Sequence, residues 1–149
     1  MAYEEKFMKK AIALAKKAYD NDEVPVGAVI AFNGKVISSA FNKRETSNDA
    51  TAHAEILAIK KACKKLNDFR LLDCDIYVSL EPCVMCMGAI LNSRIKNLYF
   101  GAKITGGSIT ATELVEKSNL NHKTNVQGGY HEEECSKLIS SYFKQKREK

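Results

Sequence analysis

Apolar and polar positions alternate along the chain with two different periods, and each change of period marks a predicted element. In residues 3–19, apolar residues recur at helical spacing with lysines on the other face, which predicts an amphipathic helix. The same spacing predicts helices over residues 52–65 and 132–147. Pro82 suits a helix start, where its missing N–H costs nothing, and this predicts a helix over residues 82–92.

Shorter apolar runs rich in β-branched residues predict the strands. Two of them, residues 24–32 and 35–41, are separated by Asn33-Gly34, the pair preferred in a tight hairpin turn. The remaining predicted segments are strands at 75–80, 96–101 and 126–129, a short helix at 113–118, and loops at 42–51 and 105–108. Strands joined through helices lie parallel and the hairpin is antiparallel, so the order predicts an α/β sandwich, a mixed five-stranded sheet with helices on both faces.

The composition is that of a single globular domain covering residues 1–149. Apolar residues make up 45% of the chain and charged residues 28%, which excludes an intrinsically disordered protein. No apolar run approaches the roughly 18 residues that span a membrane, and the N-terminus lacks the continuous apolar centre of a signal peptide. We therefore expect a cytoplasmic protein with no membrane partner.

Cysteine usage and charge narrow the chemistry only slightly. The five cysteines are an odd number in an expected cytosolic chain, which argues against a disulfide framework and favours metal or redox chemistry at the close pair Cys83 and Cys86. The net charge of +5 is compatible with a polyanionic partner without requiring one. Much of the excess lies in residues 144–149, where a solvated tail is the simpler interpretation.

Two short motifs carry the candidate chemistry, and both fall where a loop or strand enters a predicted helix. An imidazole from His53 and thiolates from Cys83 and Cys86 can bind zinc and leave a fourth tetrahedral position for water, as catalytic sites do. The C-x-x-C spacing places both sulfurs on one side of a first helical turn, where the helix dipole favours thiolate. Glu55, one residue removed from His53, can then lie near the metal without binding it and move a proton.

Each motif has a simpler interpretation when taken alone. A histidine in an apolar stretch can be a hydrogen-bonded core residue, and a lone C-x-x-C can be a redox pair or part of a structural zinc site. A structural site needs a fourth ligand, and the remaining cysteines, Cys63, Cys74 and Cys135, do not stand at the expected spacing. Glu55 is harder to explain structurally, because glutamate is seldom buried unpaired. Together the motifs predict hydrolysis by zinc-activated water.

H-x-E followed by P-C-x-x-C is also the pattern of zinc-dependent nucleobase deaminases, and the chain resembles the cytidine-deaminase-like superfamily. His-Ala-Glu and Pro-Cys-x-x-Cys point only to that superfamily. Other stretches resemble the bacterial tRNA-specific adenosine deaminases, namely EVPVGAVI from Glu23, EPCVMC from Glu81, SRI from Ser93 and the pair Asn121-His122. The resemblance implies a cytidine-deaminase-like three-layer sandwich and hydrolysis of adenosine to inosine at the wobble position of a tRNA, the arginine tRNA with an ACG anticodon.

The resemblance also assigns roles to individual residues. It implies one zinc ion per chain, held by His53, Cys83 and Cys86, and a proton shuttle at Glu55. It further implies substrate contacts from Asn42, Val26 and the main-chain N–H of Ala54, and contacts to the tRNA anticodon stem-loop from Phe143, Lys144 and Arg147. If the resemblance is set aside, Asn42 is interpreted as a turn residue and Val26 as a core residue. The Tyr142-Phe143 pair is then interpreted as packing the last helix against the core. A homodimer is implied, with the Cys83 helix near its interface.

Two departures from the family pattern bear on the substrate. The loop before the zinc histidine reads Asp49-Ala50-Thr51 where the family has Asp-Pro-Thr, which changes loop stiffness more than chemistry. Ile104 stands where the family has an aspartate of the RNA-contacting rim. The alternative is a free-base or nucleoside deaminase of guanine or cytosine type, since residues 46–55 resemble the loop of guanine deaminases. A catalytically silent zinc- or RNA-binding module is the third reading, which an intact Glu55 and an open zinc position oppose.

Overall fold

The computed structural model describes residues 2–104 and 110–148, and only the backbone of residue 148. Within these residues the chain forms, in order, α1 (Glu5–Asp20), β1 (Gly27–Phe32), β2 (Lys35–Phe41), α2 (Arg44–Ser47), α3 (Ala54–Leu66), β3 (Asp75–Leu80), α4 (Val84–Asn92), β4 (Asn97–Ala102), α5 (Ala111–Lys117), β5 (Asn125–Gln127) and α6 (Glu132–Glu148). The predicted helices and strands are all present, with bounds displaced by at most three residues. The loop predicted at 105–108 lies outside the described residues.

The strands form one mixed sheet with the order β2-β1-β3-β4-β5. β1 pairs antiparallel with both β2 and β3, whereas β3, β4 and β5 run parallel. The hairpin turn is the predicted one, because Asn33 (φ 52°) and Gly34 (φ 74°) both adopt the left-handed backbone that this tight turn requires. The mixed five-stranded sheet is therefore confirmed.

Helices cover both faces of the sheet, which confirms the three-layer sandwich. Along β1, Ala28 and Ile30 face the core beneath α3, α4 and α5, while Val29 and Ala31 face α1 and α6. Successive side chains of a strand point to opposite faces, so a strand that is buried on both faces must be apolar at nearly every position. No helix among the described residues has the length and apolarity needed to cross a bilayer.

Two local predictions were wrong in detail. His53 and Cys83 do not lie inside the first turns of α3 and α4 but at the N-cap positions before them, with extended backbone (φ −74°, ψ 151° and φ −71°, ψ 176°). The segment 42–51, predicted as a loop, contains the short helix α2. This helix is stabilised by the carboxylate of Glu23, more than twenty residues earlier, which accepts hydrogen bonds from the N–H groups of Glu45 and Thr46. The local sequence of residues 42–51 does not predict that contact.

Candidate active site and metal centre

The three predicted zinc ligands meet where α3 and α4 begin. Nδ1 of His53 lies 3.5 Å from Sγ of Cys86 and 3.8 Å from Sγ of Cys83, and the three ligand atoms lie within 4.8 Å of one another. A tetrahedral zinc ion with ordinary Zn–N and Zn–S bonds separates such a nitrogen and sulfur by about 3.6 Å. The donor set and its spacing therefore fit one zinc ion. No other group among the described residues could hold a metal in this way.

The helix ends position the ligands and favour their metal-binding forms. His53 and Cys83 occupy the two N-caps, and Cys86 lies buried in the first turn of α4. Hydrogen bonds from Cys86 and then from His53 lower the pKa of Cys83 to about 3, so this sulfur is a thiolate. The hydrogen bond with Cys83 in turn raises the pKa of Cys86, because a single proton is shared between two adjacent sulfurs. A zinc ion would displace that proton, since thiolates rather than thiols bind metal.

Glu55 lies beside the ligands as a buried carboxyl that shares a hydrogen bond with Cys86. Its side chain is 3% exposed, and its Oε1 has no hydrogen-bond partner among the described residues. Burial raises the pKa of Glu55 to about 7, which suits a group that accepts and returns a proton at neutral pH. The core of a protein rarely tolerates such an atom without a functional reason. Glu55 therefore combines the position and the chemistry of a general acid–base.

A cavity of about 170 Å³ opens above these groups. Its walls are mostly apolar, formed by Val24, Val26, Leu80, Ile104 and Phe143. Its polar lining comes from Asn42, Arg44, His53, Glu55, Glu81 and Cys83. An apolar slot with a few convergent polar groups is the usual form of a site for a small planar ligand such as a base.

The structure brings most of the predicted site residues together. Val26, Asn42, His53, Glu55, Cys83 and Phe143 all line the cavity, and Cys86 lies beneath it. Asn42 and Ala54 are bonded to each other, because the main-chain N–H of Ala54 donates to Oδ1 of Asn42 at 2.7 Å. Lys144 and Arg147 are exposed on α6 and do not line the cavity. Tyr142 packs against the body of the protein and donates to the carbonyl of Asp22, whereas Phe143 is 44% exposed.

Sequence reasoning missed two buried carboxylates, Glu23 and Glu81, and the cation Arg44 at the cavity. Glu23 is 1% exposed and Glu81 is 4% exposed. Burial raises the pKa of Glu23, but the hydrogen bonds from Thr46 and Glu45 outweigh burial, so its pKa is lowered overall. Both glutamates are adjacent to apolar residues in the sequence, as Glu55 is. That shared sequence context was the signal from which their burial could have been predicted.

Two of the three remaining cysteines have the properties of structural residues. Cys74 and Cys135 are buried, and burial raises the pKa of each to about 11, so both are inert thiols. Neither belongs to the metal-binding group of the described residues. A structural zinc site with four protein ligands is therefore not formed by the part of the chain that the structure describes.

Comparison with known proteins agrees with this geometry. Residues 1–102 match the family described as the cytidine and deoxycytidylate deaminase zinc-binding region. The chain is 44% identical over 151 aligned positions to the tRNA-specific adenosine deaminase of Bacillus subtilis, across all of this chain and 94% of that one. A solved structure from a study of A-to-I editing by tRNA:A34 deaminases at the wobble position of transfer RNA superposes with a TM-score of 0.86 and 39% identity, over 91% of this chain and 99% of the other.

Guanine deaminase of Bacillus subtilis is also similar over part of the chain. Its crystal structure superposes with a TM-score of 0.65 and 44% identity, but the match covers 68% of this chain and 66% of that one. The likeness to the tRNA-editing proteins, in contrast, extends over nearly the whole chain.

Proposed function

The chain belongs to the cytidine and deoxycytidylate deaminase family, and within it to the tRNA-specific adenosine deaminases, and on that premise we propose that it hydrolyses adenosine to inosine at the wobble position of a tRNA. The arginine tRNA with an ACG anticodon is the proposed substrate. The observation that carries the proposal is the buried Oε1 of Glu55, which has no partner in the described part of the chain and lies beside a histidine and two cysteines spaced for zinc.

The chemistry follows from the placement of Glu55. His53, Cys83 and Cys86 would hold a zinc ion, and as a Lewis acid it would make water a nucleophile at neutral pH. Glu55 takes a proton from the attacking water and delivers it to the ring nitrogen N1 as the oxygen adds to C6 of adenine. Glu55 then takes the remaining proton of the hydroxyl group on C6 and passes it to the exocyclic amino group; the C6–N bond breaks, ammonia leaves, and C6 retains the oxygen of water as a carbonyl. Burial of Glu55 excludes bulk water from these transfers.

The walls of the cavity hold the base. Val26 and the other apolar residues would contact its faces. The hydrogen bond from Ala54 fixes the carboxamide of Asn42 and leaves its amino group as a donor for the purine. Ala54 thereby acts through Asn42. The cavity admits a base that has left its stack, and the bases of an anticodon loop can be splayed out at small cost.

The exposed face of α6 supplies contacts beyond the base. Phe143 stands 44% exposed at the mouth, where a neighbouring base can stack on it. Lys144 and Arg147 are exposed and would meet phosphates, whereas Lys146 already pairs with Asp22 at 2.6 Å. A tRNA substrate would place the enzyme in the cytoplasm.

A homodimer through α4 is part of the proposal. The helix is apolar nearly throughout, and Val84 in its first turn is 55% exposed. An apolar helical face of this kind is typical of a surface that another chain covers. The whole chain would act as a single domain in each protomer, because both cores share one sheet.

A free-base deaminase is the second candidate, favoured by the 44% identity to guanine deaminase over part of the chain. Purified, zinc-loaded protein should be incubated with a transcript of the ACG arginine tRNA and, in parallel, with adenosine, adenine, guanine and cytidine. The proposal expects inosine at the wobble position of the transcript and no ammonia from the small molecules. Ammonia released only from a free base or nucleoside would reject the tRNA substrate while leaving the deaminase chemistry in place. The Glu55→Ala variant serves as the blank.

A further inference from the structure

Glu81 joins three parts of the chain around the base cavity. It follows β3 directly, precedes Pro82 and Cys83, and lines the cavity with a side chain that is 4% exposed. Its Oε1 accepts a hydrogen bond from the N–H of Ile104 at 3.0 Å, and its Oε2 accepts one from the N–H of Ala111 at 2.9 Å. The main-chain N–H of Glu81 donates to the carbonyl of Ala102 at 2.8 Å.

These contacts are all made to main chain. No lysine, arginine or histidine of the described residues forms an ion pair with Glu81. A buried carboxylate is strongly unfavourable unless it is hydrogen-bonded, so its two donors cannot leave without exposing an unpaired charge to the interior. The chain is therefore anchored to one carboxylate on leaving β4 and again on entering α5.

The anchored residue Ile104 forms part of the apolar wall of the cavity, whose polar lining includes Cys83. Glu81 stands two positions before Cys83 in the sequence. Glu81 therefore links the apolar wall at Ile104, through a hydrogen bond, to the metal ligand Cys83, through the main chain. We infer that Glu81 is a positioning residue for the substrate: by holding the main chain at Ile104, it sets how closely the cavity grips the base. The inference rests on the proposed function, which identifies the base in the cavity as the adenine of a tRNA.

The test is Glu81→Gln, with steady-state kinetics on an anticodon stem-loop RNA. Glutamine has the same shape, but it offers one acceptor oxygen and turns an amino group towards the second N–H, so one anchor is lost. We expect KM to rise on the order of tenfold, with kcat changed by less than about threefold and zinc content unchanged.

Ile104→Ala should raise KM by a similar factor. The KM of the double variant should not exceed that of the single variant with the higher KM, because both changes act on the same wall of the cavity.

Asp75→Asn is the matched control. Asp75 is another buried carboxylate, 5% exposed and bonded by Nδ2 of Asn97 at 2.8 Å, but it lies at the opposite end of β3. Asp75→Asn keeps an oxygen acceptor for Asn97 and should leave KM unchanged. A merely structural role for Glu81 would produce the same pattern in Glu81→Gln.

Three results would overturn the inference: an unchanged KM in Glu81→Gln, a large loss of kcat at unchanged KM, or additive effects in the double variant. Glu81→Gln could fail to bind zinc or to fold. In that case Ile104→Ala provides the test, because it keeps both hydrogen bonds to Glu81. An unchanged KM in Ile104→Ala would reject a role of this wall in substrate binding. Failure of the proposed function is a separate outcome. It would be seen as an inactive wild type on RNA, and the same ratios would then be measured on whichever base or nucleoside the wild type deaminates.

Discussion

The main-chain N–H of Ala54 donates a 2.7 Å hydrogen bond to Oδ1 of Asn42, and this bond ties the end of β2 to the first residue of α3. Ala54 lies in the sequence between His53, which belongs to the metal-binding group, and Glu55, the proposed acid–base residue. The bond also satisfies one of the free N–H groups at the start of α3. The oxygen of Asn42 therefore supports the scaffold, and its amide nitrogen is the atom that we propose contacts the substrate.

Asn42→Asp separates these two roles. Aspartate keeps the acceptor for Ala54 and loses the amino donor, while its charge is unfavourable beside Glu55 and the thiolates. We expect unfolding free energy within about 1 kcal/mol of wild type and a loss of kcat/KM of about a hundredfold or more. Thermal unfolding and kinetics on the stem-loop RNA check both. Asn42→Ala, which lacks both groups, should lose stability as well. Full activity in Asn42→Asp would show that the amino group does not contact the base.

Glu55→Gln and Glu55→Ala should remove activity without removing zinc. General acid–base catalysis contributes about 10²–10⁴ in rate, and both substitutions delete the proton carrier. Zinc measured by metal analysis should remain near one ion per chain. Stability should not fall in Glu55→Gln, because the substitution relieves a buried carboxyl whose Oε1 has no partner among the described residues. Wild-type turnover in either variant would reject the assigned role.

Replacement of Cys83 or Cys86 by Ala should abolish zinc binding and lower the melting temperature, because metal binding is coupled to folding. Chelation of the wild type should have the same effect, and zinc should restore activity. Cys63→Ala is the control, since Cys63 lies outside the metal-binding group of the described residues. Normal activity in a Cys83 variant with no bound zinc would be incompatible with the metal assignment.

The carboxylate of Glu23 should make stability depend on pH. It accepts hydrogen bonds from Thr46 N–H at 2.7 Å, Thr46 Oγ1 at 2.6 Å and Glu45 N–H at 3.1 Å, and its pKa in the folded protein lies below the ordinary 4.5. A lowered folded-state pKa means that this stabilisation is present above pH 4.5 and is lost as pH falls through the lowered value.

Glu23→Gln removes that contribution. The variant should be about 2 kcal/mol less stable than wild type at pH 7, and the difference should shrink towards pH 3. Denaturant unfolding of both proteins at the two pH values measures it. An equal difference at both values would mean that the ionised form of Glu23 is not what holds α2.

Lys144→Gln combined with Arg147→Gln should weaken binding of the tRNA. Each lost phosphate contact lowers the slope of log affinity against log salt by about 1, so the slope should fall by nearly two. Lys64→Gln combined with Lys65→Gln is the control with equal charge, on the exposed C-terminal end of α3. Equal effects from both pairs would indicate a general charge effect and not an RNA contact at α6.

The predictable features of this protein are those encoded by neighbouring residues. Asn33-Gly34 alone predicted the hairpin, because few residue pairs tolerate two left-handed conformations in succession. The ligand set was predictable for a different reason, since a histidine and two cysteines in these patterns have few uses besides metal binding. Their separation of 30 and 33 residues did not matter, because the chemistry of each side chain identified its role.

Tertiary structure decided which carboxylates are buried and what they bind. Glu23, Glu55 and Glu81 look alike in the sequence, each next to an apolar run. Within the residues that the structure describes, Oε1 of Glu55 has no partner, whereas the other two carboxylates accept hydrogen bonds from main-chain N–H groups 22 to 30 residues away. Helical period and turn preference act over a few residues and can therefore be read from the chain. The partner of a buried charge depends on which segments pack together across the sheet. Desolvation makes an unsatisfied polar group costly there, and only the assembled fold determines which group satisfies it.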